Sequence, residues 1–388
     1  MTSQFDALHD RRSTDSLKWH KFSSDVLPMW VADMDFAAPP AVTEALKTRV
    51  NHPIYGYTHD LPGLAEAIQV HLTRHFDWQV PGEAIVYLPG VIVGFNLAAQ
   101  ALAKPGGSVV FHTPVYKPFF GVAGNAGLRQ VEVEMHQDGH GRYLVDWERF
   151  EAAIADLASL FLLCNPHNPV GRVFEQEELA RMAEICLRYG VPVVSDEIHS
   201  DLIYSGHRHI PIASLSPEIA KNSITLMAPS KTFNVPGLGF SFAVIPDPEL
   251  RERFNTSRRG IVGWPNLMGM IAARAAYAEG QSWLTELRLY LESNRDILVE
   301  YVNTYLPLAK ITVPEGTYLA WIDLSAYNLV PTPCEFLIKN ARVGLNDGME
   351  FGPTGAGHVR INFACPRSTL LEGLNRIRSA LENVTASL

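Results

Sequence analysis

Cysteine is scarce in this chain of 388 residues. There are four, Cys164, Cys186, Cys334 and Cys365, and no two form a CxxC pair. That spacing excludes a disulfide framework and a thiolate zinc site, and it predicts reduced thiols in the core of a cytoplasmic protein. Positive charge is also short: 32 Lys and Arg stand against 41 Asp and Glu, a formal net charge of -9. With no basic run interleaved with aromatics, a polyanionic partner such as nucleic acid is not expected. No window supplies the long apolar run of a membrane span, and the first residues, MTSQFDALHDRRSTDSLKWH, have no apolar signal core. A soluble intracellular protein without membrane partners is therefore expected. Internal repeats and low-complexity segments are lacking too. His207-Arg-His209 has no carboxylate or cysteine at ligand spacing and reads as surface, while FGPTGAG lacks the full dinucleotide fingerprint and precedes a strand. Neither a metal nor a nucleotide is assigned.

What the chain does have is a large apolar fraction, 47%, enough for one large domain and a smaller one. From about residue 85, short β-rich runs (AIVYL, SVVFH, QVEVE, SLFLLC, VPVVS, SITLM, FSFAVI) alternate with helical patterns. In FEQEELARMAEICLRYG, for example, Leu179, Met182, Ala183, Ile185 and Cys186 recur at helical spacing and a glycine follows. The rhythm predicts an α/β fold whose mostly parallel seven-stranded sheet is flanked by helices. After the helical stretch WLTELRLYLESNRDILVEYVNTYL the pattern shifts to that of a smaller α+β domain. The expected boundaries are 46–282 for the large domain and 1–45 with 283–388 for the small one, the N-terminal segment packing with the C-terminal part.

Ligands of an open parallel sheet sit beyond the carboxyl ends of its strands. There the sequence places Pro89-Gly90-Val91-Ile92, Thr113-Pro114-Val115-Tyr116, Asn165-Pro166-His167-Asn168-Pro169, Asp196-Glu197-Ile198-His199 and, after SITLM, Ala228-Pro229-Ser230-Lys231. A lysine, an aspartate and an asparagine at three such ends suit pyridoxal 5'-phosphate. The amine can hold its aldehyde as a Schiff base, the carboxylate can keep its pyridine nitrogen protonated, and a neutral donor can bind its phenolate oxygen. Each residue alone fits a plainer role: Asp196 a helix N-cap, Asn168 a turn residue, Lys231 a solvated cation. The combination carries the inference.

Nearly end to end, the chain resembles fold-type I pyridoxal-phosphate enzymes of the class I/II aminotransferase superfamily, and within them the branch of cystathionine β-lyase and cystalysin-like C–S lyases. The resemblance rests on RRSTDSLKWHKF, LPMWVADMDF, YGYT, NPHNPVGRVF, SDEIHSDLIY, APSKTFNVPGL and VRINFACPR. It implies that Lys231 is the Schiff-base lysine, Asp196 the partner of the pyridine nitrogen, Asn168 a donor to the phenolate oxygen, and Tyr116 the aromatic that stacks on the ring. It further implies that Gly90, Val91 and Ile92 meet the phosphate through their backbone and that Ser230 adds a hydroxyl. Arg360 would clamp the substrate carboxylate. Tyr57 would reach the cofactor and substrate of the neighbouring subunit, which requires at least a homodimer. Two positions depart from the wider aminotransferase pattern: His199 stands where many relatives have a phenolate-binding tyrosine, and Ala228 where many have a phosphate-binding serine or threonine.

The implied activity is α,β-elimination from an L-amino acid carrying sulfur at Cβ, such as cystathionine, to pyruvate, ammonia and a thiol. Two alternatives stand beside it. An aminotransferase would use the same lysine and aspartate, and a regulatory protein could keep the fold without the catalysis.

Overall fold

The computed structural model describes residues 3–58, 60–139 and 141–385. All seven predicted runs become strands of one sheet: β1 Ile85–Leu88, β2 Ser108–Thr113, β3 Arg129–Glu134, β4 Ala158–Cys164, β5 Val193–Asp196, β6 Ser223–Met227 and β7 Ser241–Val244. Their spatial order is β1-β7-β6-β5-β4-β2-β3. β7 is antiparallel to both its neighbours and every other pair is parallel. All strands but β7 therefore point their carboxyl ends at the same edge.

Both faces of the sheet are covered, as a parallel sheet requires. Along β4, Leu160, Leu162 and Cys164 enter one apolar layer while Phe161 and Leu163 enter the other, the period-two alternation of a pleated strand. Helix α1, Val91–Leu102, packs Val91, Phe95, Ala98 and Leu102 into the first layer. It can approach closely because Gly94 has no side chain: a Cβ there would sit 2.7 Å from Leu226 Cδ2. Helix α2, Gln176–Arg188, buries the predicted Leu179, Met182, Ala183, Ile185 and Cys186 in the second layer. Glu178 accepts the Glu175 N–H at 3.0 Å to close its start, and Gly190, at φ 63°, turns the chain beyond its end.

A second, antiparallel sheet follows: β8 Lys310–Thr312, β9 Leu319–Asp323, β10 Asn346–Asp347 and β11 His358–Asn362, in the order β8-β9-β11-β10. Helices α3, Gln281–Tyr305, and α4, Arg367–Thr385, share an apolar cluster with it. The N-terminal segment joins this part of the molecule. Leu27–Pro28 pairs in parallel with Val343–Gly344, and Asn362 donates its side-chain N–H groups to the carbonyls of Val31 and Asp33 at 2.7 and 2.6 Å.

All four cysteines are buried and unpaired. Among the described residues no helix is long and apolar enough to cross a membrane. One expectation is overturned. His209 is not a surface residue: it is buried, and its Nε2 lies 2.8 Å from Glu197 Oε2. Glu197 also accepts from Ser195 Oγ at 2.8 Å and from the Ile212 N–H at 3.2 Å. The histidine's partner sits 12 residues earlier in the chain, so no local spacing announces it.

Candidate active site

A cavity of about 400 Å³ opens where the sheet's carboxyl edge meets the N-terminal segment and β11. Gly90, Val91, Ile92, Tyr116, Asn168, Asp196, His199, Ser230, Lys231 and Arg360 all line it. Of the residues singled out in the sequence, Tyr57 alone stands apart: it is fully exposed and does not contribute to the cavity of its own chain.

The position of each side chain follows from the fold. β5 ends on Asp196, β4 runs out into the turn holding Asn168, and β6 runs into a single helical turn, Pro229–Thr232, that carries Lys231. α1 begins at the cavity wall with Gly90 as its cap and no side chain bonded to its first N–H groups. Such a start leaves backbone donors and a partial positive charge for an anion. Ala228 caps the lysine turn without a side-chain hydrogen bond, so the only nearby hydroxyl on that turn facing the cavity is that of Ser230.

The electrostatics are those of a place built for a ligand. Asp196 is buried, and among the described residues its carboxylate accepts a single hydrogen bond, from the Ile198 N–H at 3.2 Å. Burial pushes its pKa up to about 7, against the pull of that hydrogen bond and of Lys231. Burial lowers the Lys231 ammonium to about 8, opposed by the negative field of Asp33 and assisted by Arg360. The lysine's Nζ rests 2.5 Å from the Ala32 carbonyl oxygen, which Tyr318 also engages through its hydroxyl at 2.9 Å. His199 is buried with no partner on Nδ1 among the described residues, and burial holds its ring well below the usual histidine pKa. It is a neutral imidazole with a polar atom to spare.

Arg360 is a buried cation in the same cavity wall. Nη1 donates to Asn168 Oδ1 at 2.9 Å, and Nη2 donates to Asn346 Oδ1 at 2.6 Å and to the Trp30 carbonyl at 3.0 Å, while Nε has no partner among the described residues. All of these acceptors are neutral. Among the described residues no carboxylate bonds this guanidinium, and Glu350 acts on it only through its field, so a bound anion would offset much of the cost of burying it. The same contact orients Asn168: a guanidinium only donates, so the amide oxygen must face it and the NH2 group is left for another acceptor.

Sequence reasoning missed the N-terminal and β10 contributions. Trp30, Val31 and Ala32 form part of the wall, as do Asn346, Glu350 and Phe351, the last lying 4.8 Å beneath the Arg360 guanidinium. A signal was present in the charged residues of RRSTDSLKWH and VADMD, which bind each other. Arg11 bonds Asp33 and Asp35, each at 2.7 Å, and the buried Lys18 bonds Asp35 at 2.7 Å. Trp19 Nε1 adds 2.9 Å to the same carboxylate. Removing one partner from so buried a pair costs about 3–5 kcal/mol. The network fixes the loop that presents the Trp30 and Ala32 carbonyls.

Comparison with known proteins agrees with this geometry. The family model described as aminotransferase class I and II matches residues 24–377. The cystathionine beta-lyase PatB of Bacillus subtilis (strain 168) is 42% identical, over 97% of this chain and 99% of that one. The crystal structure of cystalysin from Treponema denticola, which contains a pyridoxal 5'-phosphate cofactor, superposes with a TM-score of 0.94 at 34% identity, covering 99% of this chain and 100% of that chain. The PLP-bound C-S lyase from Staphylococcus hominis gives a TM-score of 0.92 at 33% identity, covering 98% of each chain. With the sheet, the cavity and the match over most of its length in agreement, the chain belongs to the class I and II aminotransferase family.

Proposed function

We propose that the protein is a pyridoxal-phosphate-dependent C–S β-lyase that eliminates the thiol from L-cystathionine or related S-substituted L-cysteines, releasing pyruvate and ammonia. The observation that carries this reading is Asp196: a buried carboxyl with one backbone donor, sharing a cavity with a lysine of lowered pKa. A protonated pyridine nitrogen supplies the missing cationic donor, and the open start of α1 suits a phosphate. Relatives named cystathionine beta-lyase support the choice of reaction.

When bound, pyridoxal phosphate supplies an electron sink for the pair released as a bond at Cα breaks. The chain's own residues do the rest. Arg360 would take the substrate carboxylate through the donors its neutral partners leave, Nε among them. Lys231 would hold the cofactor's aldehyde, and its neutral Nζ would serve as the base that takes the substrate's Cα proton. Asp196 would be the carboxylate that pairs with the ring nitrogen. The Asn168 NH2 and His199 would serve the ring's phenolate oxygen, Tyr116 would pack against the ring, and Gly90, Val91, Ile92 and Ser230 would hold the phosphate.

We read residues 46–282 as the unit that binds the cofactor, and 1–45 with 283–388 as the unit that brings Arg360 to it. Tyr57, exposed on its own chain, serves the site of a second copy, so the working form is a homodimer. Buried unpaired cysteines suit a reducing cytoplasm.

The test is the purified protein given cystathionine alone. Pyruvate and free thiol appearing without a 2-oxo acid support the lyase. A strict requirement for an oxo acid acceptor makes it an aminotransferase, and a protein that takes up no pyridoxal phosphate is neither.

A further inference from the structure

Lys231 sits on a helix too short to hold itself. The turn Pro229–Thr232 is four residues long, and one turn gains too few hydrogen bonds to offset the cost of ordering it. Its backbone contributes Phe233 N–H to Pro229 O at 2.8 Å and Val235 N–H to Ser230 O at 3.1 Å. External ties must set where the lysine lies.

Two are present. On one side Asn234 grips the N-terminal segment, accepting from the Met34 N–H at 3.0 Å and donating to the Met34 and Phe36 carbonyls at 3.0 and 2.7 Å. On the other, Thr232, fully buried and adjacent to the lysine, donates Oγ1–H to Asp201 Oδ2 at 2.7 Å. Asp201 is itself buried, and its second oxygen, Oδ1, lies 2.8 Å from His71 Nε2. Burial alone would raise the Asp201 pKa, but His71, His75 and Thr232 outweigh it and hold the carboxyl well below the usual range. The acceptor that Thr232 meets is therefore a carboxylate, and a hydrogen bond to a charged acceptor is about twice as strong as a neutral one.

We propose that Thr232 and Asp201 are positioning residues for Lys231, holding Nζ where it can reach both the cofactor's aldehyde and the substrate's Cα proton. The inference rests on the lyase reading above. It also gives the two aspartates of the Asp196–Asp201 segment different jobs: Asp196 faces the ligand, and Asp201 faces away from it and fixes the residue that reacts.

The experiment deletes one hydroxyl. Thr232→Val keeps the shape of the buried side chain but cannot bond Asp201, and Thr232→Ser restores the hydroxyl. In the cofactor-loaded enzyme, Thr232→Val should slow removal of the Cα proton about 10- to 100-fold, the scale of a misplaced reacting group. KM should stay within about twofold, because Arg360 is untouched, and the isotope effect from substrate deuterated at Cα should grow. Thr232→Ser should recover both. Independently of activity, hydrogen exchange in the cofactor-free protein should accelerate at the amides of residues 230–235. If Val does not fold at this position, Thr232→Ala makes the same deletion without added bulk. Wild-type proton removal in the Val or Ala variant, or a Ser variant as slow as they are, overturns the proposal. A wild-type enzyme that makes no pyruvate from cystathionine instead overturns the lyase reading and leaves this result to be read on its own.

Discussion

Replacing Asp196 with asparagine should stabilise the cofactor-free protein while it destroys the enzyme, and the gain should depend on pH. Burial raises the Asp196 pKa from the ordinary 3.8 to about 7. In the unfolded chain the carboxyl ionises near its ordinary value, so folding above that pH either forces proton uptake or buries a charge. The sign follows: a raised folded pKa gives a contribution that is fully present below pH 3.8 and is lost as pH rises through 7. At 1.36 kcal/mol per pH unit the loss approaches about 4 kcal/mol by pH 8, of which about 2–3 kcal/mol accrues between pH 5 and pH 8. Asparagine carries no charge, its Oδ1 can still accept from the Ile198 N–H, and its NH2 faces the cavity, where water can meet it. Urea unfolding of the cofactor-free wild type and Asp196→Asn at the two pH values measures the difference directly. The variant's advantage should grow by about 2–3 kcal/mol from pH 5 to pH 8, and saturating pyridoxal phosphate should remove it by giving the wild-type carboxylate a cationic partner. An advantage that is flat with pH, or an asparagine variant weaker than wild type at pH 8, refutes the account of Asp196 as a carboxyl whose ionisation is opposed by burial.

Three further outcomes follow from the same geometry. Arg360→Lys keeps a positive charge but loses the planar fork, so KM for the amino acid should rise about 10- to 100-fold, the equivalent of about 1.5–3 kcal/mol in charge-assisted hydrogen bonding; an unchanged KM would mean the carboxylate binds elsewhere. Because burial lowers the Lys231 ammonium to about 8, the neutral nucleophile accumulates up to that pH, and covalent capture of pyridoxal phosphate by the cofactor-free protein should rise with pH and level off just above it. Levelling only beyond about 10 would assign the lysine an ordinary solvated environment. Mixing inactive Lys231→Ala with weakened Tyr57→Ala subunits should restore activity, since each mixed dimer contains one site with both wild-type residues. No recovery after subunit exchange shows that Tyr57 does not act across the interface.

The N-terminal segment illustrates what was legible and what was not. RRSTDSLKWHKF and LPMWVADMDF carried the resemblance as words, yet nothing in them says that Arg11 and Lys18 close on Asp33 and Asp35 and so lend backbone carbonyls to the site. Carbonyl oxygens are the same in every residue, and which of them face a cavity depends on the path of the chain. His209 failed for a related reason: its partner Glu197 lies on a different segment, so only folding brings the two together.

By itself the sequence determined the seven strands, the helical periodicity between them and the residues at the strand ends, because these depend on local pattern and on the shared direction of parallel strands. It thereby named Lys231, Asp196 and Asn168 together. Only the tertiary structure decided that Arg360, from the second sheet, braces Asn168, that burial outweighs the field of Lys231 at Asp196, and that Thr232 ties the lysine turn to Asp201. Those contacts join segments far apart in the chain, and burial, which sets the pKa values, is a property of the packed whole.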